Sequence, residues 1–147
     1  MSNNNSNGAE PEFNPTNALA DAIFDNDLAR VDTIVEENNE LPYIFSDMLR
    51  DISTIEMLDL LIFHGLPLIM EDESLLADFI RDGKRELALH LLTQDINVDS
   101  YSNFNGYTAF MEATVKQDTE MMRLLVEEGG ANLNLAVKEL PPPYNSI

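Results

Sequence analysis

Residues 106–134 read Gly-Tyr-Thr-Ala-Phe-Met-Glu-Ala-Thr-Val-Lys-Gln-Asp-Thr-Glu-Met-Met-Arg-Leu-Leu-Val-Glu-Glu-Gly-Gly-Ala-Asn-Leu-Asn. A glycine turn leads to Thr108, whose hydroxyl is placed to cap a short helix. A second helix follows, carries the apolar pair Leu125-Val126 and stops at Gly129. The same two-helix unit recurs upstream. The pairs Ile34-Val35, Leu61-Ile62, Leu91-Leu92 and Leu125-Val126 are followed by stops at Asn38, Gly65, Asp95 and Gly129, spaced by 27, 30 and 34 residues. A period of that size marks supersecondary units that bury their apolar faces on one another.

The third and fourth units align best. Ser74-Leu75-Leu76-Ala77-Asp78-Phe79-Ile80 runs parallel to Thr108-Ala109-Phe110-Met111-Glu112-Ala113-Thr114, with a hydroxyl at each N-cap and core positions at the third, sixth and seventh places. Asn97-Val98-Asp99 and Asn132-Leu133-Asn134 follow the second helices at matching places. Residues 106–134 closely resemble an ankyrin repeat, in which an Asp-Val-Asn-like turn follows the glycine. The resemblance implies an all-α ankyrin-repeat solenoid of helix–turn–helix units with short finger loops, four repeats from about Asn17 to Leu135. It also implies a surface for gripping another protein and no catalytic chemistry, so the chain is read as not an enzyme. Two departures stand out: no unit keeps the full Thr-Pro-Leu-His tetrapeptide, and the second unit, Tyr43 to Gly65, is short. Its first helix has only Ser46 to Asp51 to work with, and the finger before it is compressed to Glu40-Leu41-Pro42. A short second repeat in a four-repeat chain also resembles the layout of ankyrin-type inhibitors of cyclin-dependent kinases.

The domain reading is a flexible Asn-, Ser- and Pro-rich tail over 1–16, a repeat domain over 17–137, and a C-terminal tail over 138–147. The expected core is Leu19, Ala22, Ile23, Ile34, Leu49, Leu58, Leu61, Leu76, Phe79, Leu91, Phe110, Ala113, Met122 and Leu125, from their helical spacing.

With 147 residues and 44% apolar content the chain suits one globular domain. It has no cysteine, hence no disulfide, thiolate metal site or cysteine nucleophile. Met1 to Gly8 lacks the basic-then-apolar pattern of a secretory signal, and Ile55 to Met70 is interrupted by Glu56, Asp59 and His64. A monomer in the cytoplasm is expected, with the nucleus as the alternative. Twenty-seven acidic residues against eight basic give a net charge of −19, which repels nucleic acid and anionic membranes. The charge fits either plain solubility or a basic protein partner.

Candidates for chemistry are weak. His64 and His90 lack a nucleophile at motif spacing and are read as structural. No glycine-rich phosphate loop is present. Asp95-Ile96-Asn97-Val98-Asp99 begins like a calcium loop, but Ser100 stands where the turn glycine belongs and Gly106 where the bidentate glutamate belongs. The acidic run Glu71-Asp72-Glu73 reads as the first turn of the helix near Ser74. No cofactor and no metal are expected.

Two binding features remain. Phe24 and Val115 fall where the repeat layout faces an inner groove, and Tyr101, Phe104 and Tyr107 fall on the finger before the fourth unit. Exposed aromatics of this kind anchor partners, and local packing is the competing reading. The tail motif Leu140-Pro141-Pro142-Pro143-Tyr144 matches the Pro-Pro-x-Tyr ligand of WW domains through Pro141, Pro142 and Tyr144. Its prolines hold an extended helix before binding. The functional expectation is an adaptor or scaffold that binds protein through groove and fingers and recruits a WW-domain protein through its tail. The alternative is an acidic inhibitor or immunity-type protein that blocks the basic site of a target enzyme.

Overall fold

A computed structural model describes residues 14–68 and 74–137. The tail residues before Asn14, the run Glu71-Asp72-Glu73, and the segment 138–147 with Pro141, Pro142 and Tyr144 lie outside the described residues. Eight α-helices and no strand occur among the described residues: α1 (Pro15–Phe24), α2 (Leu28–Asn38), α3 (Ser46–Arg50), α4 (Ile55–Phe63), α5 (Leu75–Arg81), α6 (Arg85–Leu91), α7 (Ala109–Val115) and α8 (Thr119–Glu127).

Local chemistry explains where these helices begin. Asn14 Oδ1 accepts from the amides of Thr16 and Asn17 at 2.9 and 3.3 Å, with Pro15 at the first helical position. The first helix therefore starts inside the stretch read as tail. Ser74 Oγ accepts from Ala77 N at 3.0 Å and Thr108 Oγ1 from Met111 N at 3.3 Å, so the aligned hydroxyls cap α5 and α7 as expected. Thr54 caps α4 in the same way, and Asp27 and Asp118 cap α2 and α8.

The turns repeat as well. Asn26, Gly83 and Gln117 adopt left-handed φ of 56°, 80° and 57°. The next amide in each turn donates to a carbonyl five residues back: Asp27 to Ala22, Lys84 to Phe79 and Asp118 to Ala113. This closes three orphan helix ends with one motif. The stops of the second helices shift by one residue from expectation in two units. Asn39 and Gly130, at φ 61° and 70°, are the left-handed residues, whereas Asn38 is the last residue of α2. After α6 the chain closes on two successive turns, Thr93 N to His90 O and Gln94 N to Leu91 O.

Packing builds two layers. The inner helices α1, α3, α5 and α7 each pack on the next, and α2, α4 and α6 do the same in the outer layer. The pairs α1/α2, α5/α6 and α7/α8 fold back on themselves. Helix α3 has only five residues, and its end is tied down from the next unit: Lys84 Nζ donates to the carbonyls of Arg50 and, at 2.9 Å, Ile52.

Of the expected core, Phe110 and Met122 are only half-buried, and Ala109 and Met121 take the fully buried places. For Phe110 the cause is position in the stack. Helix α5 has a neighbour on each side, and its residues Leu75 to Ile80 are all buried. Helix α7 packs on α5 and on its own partner α8, and among the described residues no further unit covers its far side. Its buried residues are Ala109, Glu112 and Ala113. Gly129 is not the left-handed residue but a point of close approach: a Cβ there would lie 2.8 Å from both Leu125 O and Val98 Cγ1.

Two stability outcomes follow from this packing. Leu125→Ala should cost on the order of 2–5 kcal/mol in denaturant unfolding, because the side chain is fully buried. Gly129→Ala should cost about 1–3 kcal/mol, the range for overpacking, even though the substitution favours helix. A loss under about 0.5 kcal/mol at either site would place it on the surface.

Candidate functional site

The four inner helices end in register. Phe24, Arg50, Arg81 and Val115 are the last residues of α1, α3, α5 and α7, each followed directly by the turn into the outer layer. Phe24 and Val115 are 72% and 64% exposed, as an open inner face requires. They do not meet, however, because they sit on the first and fourth helices of the row with the two arginines between them.

Phe104 joins the middle of that row. Its ring lies 4.5 Å from the Arg81 guanidinium carbon and 5.7 Å from that of Arg50, and it remains 58% exposed. Cations over an aromatic face hold the ring while leaving its other side open. Tyr101 and Tyr107 differ: both are half-buried in the finger. The backbone of Tyr107 holds the finger's shape, since Tyr107 O accepts from Ser102 N at 2.8 Å and Tyr107 N donates to Asn105 Oδ1 at 3.0 Å.

Arg81 also anchors a buried polar cluster beneath Phe104. It donates to Asp78 Oδ1 at 2.7 Å, Glu112 Oε2 at 3.3 Å and Ser102 Oγ at 3.4 Å. The two carboxylates are buried, at 6% and 3% exposure, and one guanidinium cannot satisfy both. Ser102 Oγ donates to the same Asp78 Oδ1 at 2.9 Å and Asn105 Nδ2 to the same Glu112 Oε2 at 2.8 Å, so each carboxylate is held by a second, neutral donor. Ser102 Oγ further accepts from Phe104 N at 3.1 Å. The cluster thus joins α5, α7 and the finger, and it fixes the backbone that carries the Phe104 ring.

Neighbouring units are tied elsewhere by charged pairs. Arg50 makes a two-pronged contact with Asp82, at 2.8 and 3.0 Å, and Arg85 does so with Asp118, at 3.0 and 3.3 Å. Both histidines bridge units: His64 Nε2 lies 2.7 Å from Asp32 and His90 Nε2 lies 2.6 Å from Asp59, each carboxylate one unit upstream. The calcium-like run forms a finger turn, in which Asn97 Oδ1 accepts from Asp99 N and Asp99 Oδ1 accepts from Asn132 N. Asn132 Oδ1 accepts from Asn134 N, which is the same turn one unit later.

Arg50 and Arg81 were not singled out as face residues from the sequence. A signal for them existed, because they occupy the same place before the turn as Phe24 and Val115. Their charge matched the ordinary solvated end of a helix and so carried no contrast.

Residues 105–138 match the family model described as ankyrin repeat. The match covers α7, α8 and only the end of the finger, from Asn105, and it supports a protein–protein interaction module. No curated protein matches the chain. Among the described residues no helix is long and apolar enough to cross a membrane.

The ion pairs generate two predictions. The hydrogen bonds from Arg50 hold the Asp82 carboxyl below its usual range. A folded value below the unfolded one of about 3.9 means that the pair's contribution is present above about pH 4 and lost as pH falls through the lowered value. Asp82→Asn should therefore lower Tm at neutral pH, and its deficit against the parent should shrink progressively below about pH 4. For the buried cluster, Arg81→Met leaves two carboxylates facing each other without their cation and should cost about 3–5 kcal/mol in denaturant unfolding.

Proposed function

We propose that the chain is an adaptor or scaffold that grips a partner protein through its inner face and the finger over 101–107. The observation that carries this reading is the Phe104 ring, exposed on one side and held on the other by Arg81 and Arg50, at the centre of the row from Phe24 to Val115. Partner hot spots are built from aromatic and arginine side chains at the centre of a patch. A finger already braced by the Asp78–Arg81–Glu112 cluster loses little further entropy on docking. Tyr101 and Tyr107 contribute to the same surface through their exposed portions.

The tail supplies a second, linear contact in this reading. Pro141, Pro142 and Tyr144 would then be the residues that a WW domain takes, because proline favours the extended helix such domains bind. A WW-containing protein would then be brought to whatever the inner face holds. One observation favours a second reading, an inhibitor or immunity-type protein that plugs a basic enzyme site: the net charge of −19. The two readings differ in salt response, because a charge-based plug loses affinity steeply with ionic strength and an aromatic anchor does not.

Affinity capture with the full chain and with a chain ending at Val137 tests both contacts. Phe104→Ala should weaken capture of the main partner about 30-fold or more, as hot-spot truncations of about 2 kcal/mol do. Its stability should fall by only about 1 kcal/mol or less, since an exposed cation–π contact is all that is removed. Tyr144→Ala should abolish binding of an isolated WW domain and leave inner-face binding intact. Early unfolding of Phe104→Ala would make the ring a packing residue and remove the basis of this proposal.

A further inference from the structure

The short second unit leaves a hollow. Between the loops that lead from the outer into the inner layer, at 39–45 and 64–68, lies an apolar pocket of about 290 Å³. Its walls include Leu41, Ile44, Leu49 and Leu66, with Pro42 and Pro67 offering no backbone N–H. The other inner helices run for ten, seven and seven residues, and α3 runs for only five. Helix α3 is thus two residues, about half a turn, shorter than α5 and α7, and the space lies beside its Leu49. Gly65 lines it with no side chain, and a Cβ built there would meet nothing within 4 Å. Tyr43, which is 73% exposed, lines the pocket too and stands 6.1 Å from the exposed ring of Phe45.

The charge around this stretch is mostly negative. Glu36, Glu37 and Glu40 precede the lining residues and Asp47 and Asp51 flank Leu49, all of them exposed. None of the five forms a close ion pair among the described residues; the one cation between them, Arg50, bonds Asp82 and also interacts electrostatically with Asp47. An apolar hollow of roughly 300 Å³ stands at the small end of ligand pockets and suits one large side chain rather than a cofactor. The carboxylates close in sequence to the lining residues select against acidic chains and draw in basic ones.

We infer that this pocket takes a large apolar side chain of a linear peptide segment whose neighbouring residues are lysine and arginine. The inference rests on the reading of the chain as a protein-binding module and assigns it a contact distinct from the Phe104 face. Tyr43 and Phe45 would cover the inserted side chain, and the five carboxylates would pair with the flanking cations. Water in such a hollow has few polar partners, so its release favours the exchange.

The test is a methyl-NMR titration of the full chain with an acetylated Lys-Arg-Gly-Leu-Phe-Gly-Arg-Lys amide. The expected result is saturable shifts at the methyls of Leu41, Ile44, Leu49 and Leu66. Replacing Leu-Phe by Ser-Ser should abolish them, and replacing the four cations by Gln should weaken binding about tenfold or more. Pro67→Arg and Tyr43→Ala, both at exposed positions, should weaken binding with an unchanged thermal transition. Shifts confined to methyls away from the pocket, equal binding of the Gln peptide, or no methyl shifts would each overturn the inference. Phe104→Ala should leave this titration unchanged. Failure here with partner capture still dependent on Phe104 overturns the pocket alone, whereas capture indifferent to Phe104 overturns the reading of the inner face.

Discussion

A pair of short helices cannot bury its own apolar face, and the architecture depends on that constraint. Helix α5 shows it most plainly: six successive residues, Leu75 to Ile80, are all buried, which an isolated seven-residue helix could never achieve. Such a helix is far too short to be stable by itself. It exists because α3 and α7 lie on its two sides and α6 covers it from the outer layer. Stability is then mostly a sum over adjacent units. The polar contacts follow the same rule, since Arg50–Asp82, Arg85–Asp118, His64–Asp32, His90–Asp59 and the Asp99–Asn132 contact each join residues 31 to 33 apart.

These ties also answer how the chain manages without the Thr-Pro-Leu-His network of the repeats it resembles. Arginine and histidine reach one unit back or forward to a carboxylate, and Lys84 bonds the open carbonyls at the end of the five-residue α3. Surface ion pairs of this kind contribute modestly one by one. Their value here is geometric, because each fixes the register between two units. The Arg81 cluster goes further. It buries two carboxylates, and it couples the packing of α5 on α7 to the position of the finger and of the Phe104 ring. The packing of two units and the placement of the finger therefore depend on one side chain.

Much of the fold was legible because its determinants are local. Hydroxyl caps at Ser74 and Thr108, the stop at Gly65 and the apolar spacing of α1 and α2 act within a few residues, and sequence order preserves that neighbourhood. The expectations that failed were those needing knowledge of position in the stack. Phe110 aligns with Leu76, yet it is half-buried because α7 has no described unit on its far side. Met121 rather than Met122 faces the core, a choice between adjacent apolar residues that spacing alone left open. Gly129 and Gly130 divide the work of one stop: the second supplies the left-handed turn and the first the close approach to Val98.

For the candidate site the division is sharper. Taken alone, the sequence determined that the chain is built of helix pairs, that Phe24, Phe104 and Val115 are large apolar residues in places where the layout expects solvent, and that the surface is strongly acidic. These follow from composition and short-range spacing. Only the tertiary structure decided that Phe104 rests on Arg81 and Arg50, residues 23 and 54 positions away. It also decided that Phe24 and Val115 stand at opposite ends of the row, and that a pocket lies in the second unit between Leu41 and Pro67. The physical reason is the same in each case: such contacts and voids are made between units, by side chains that no local rule brings together.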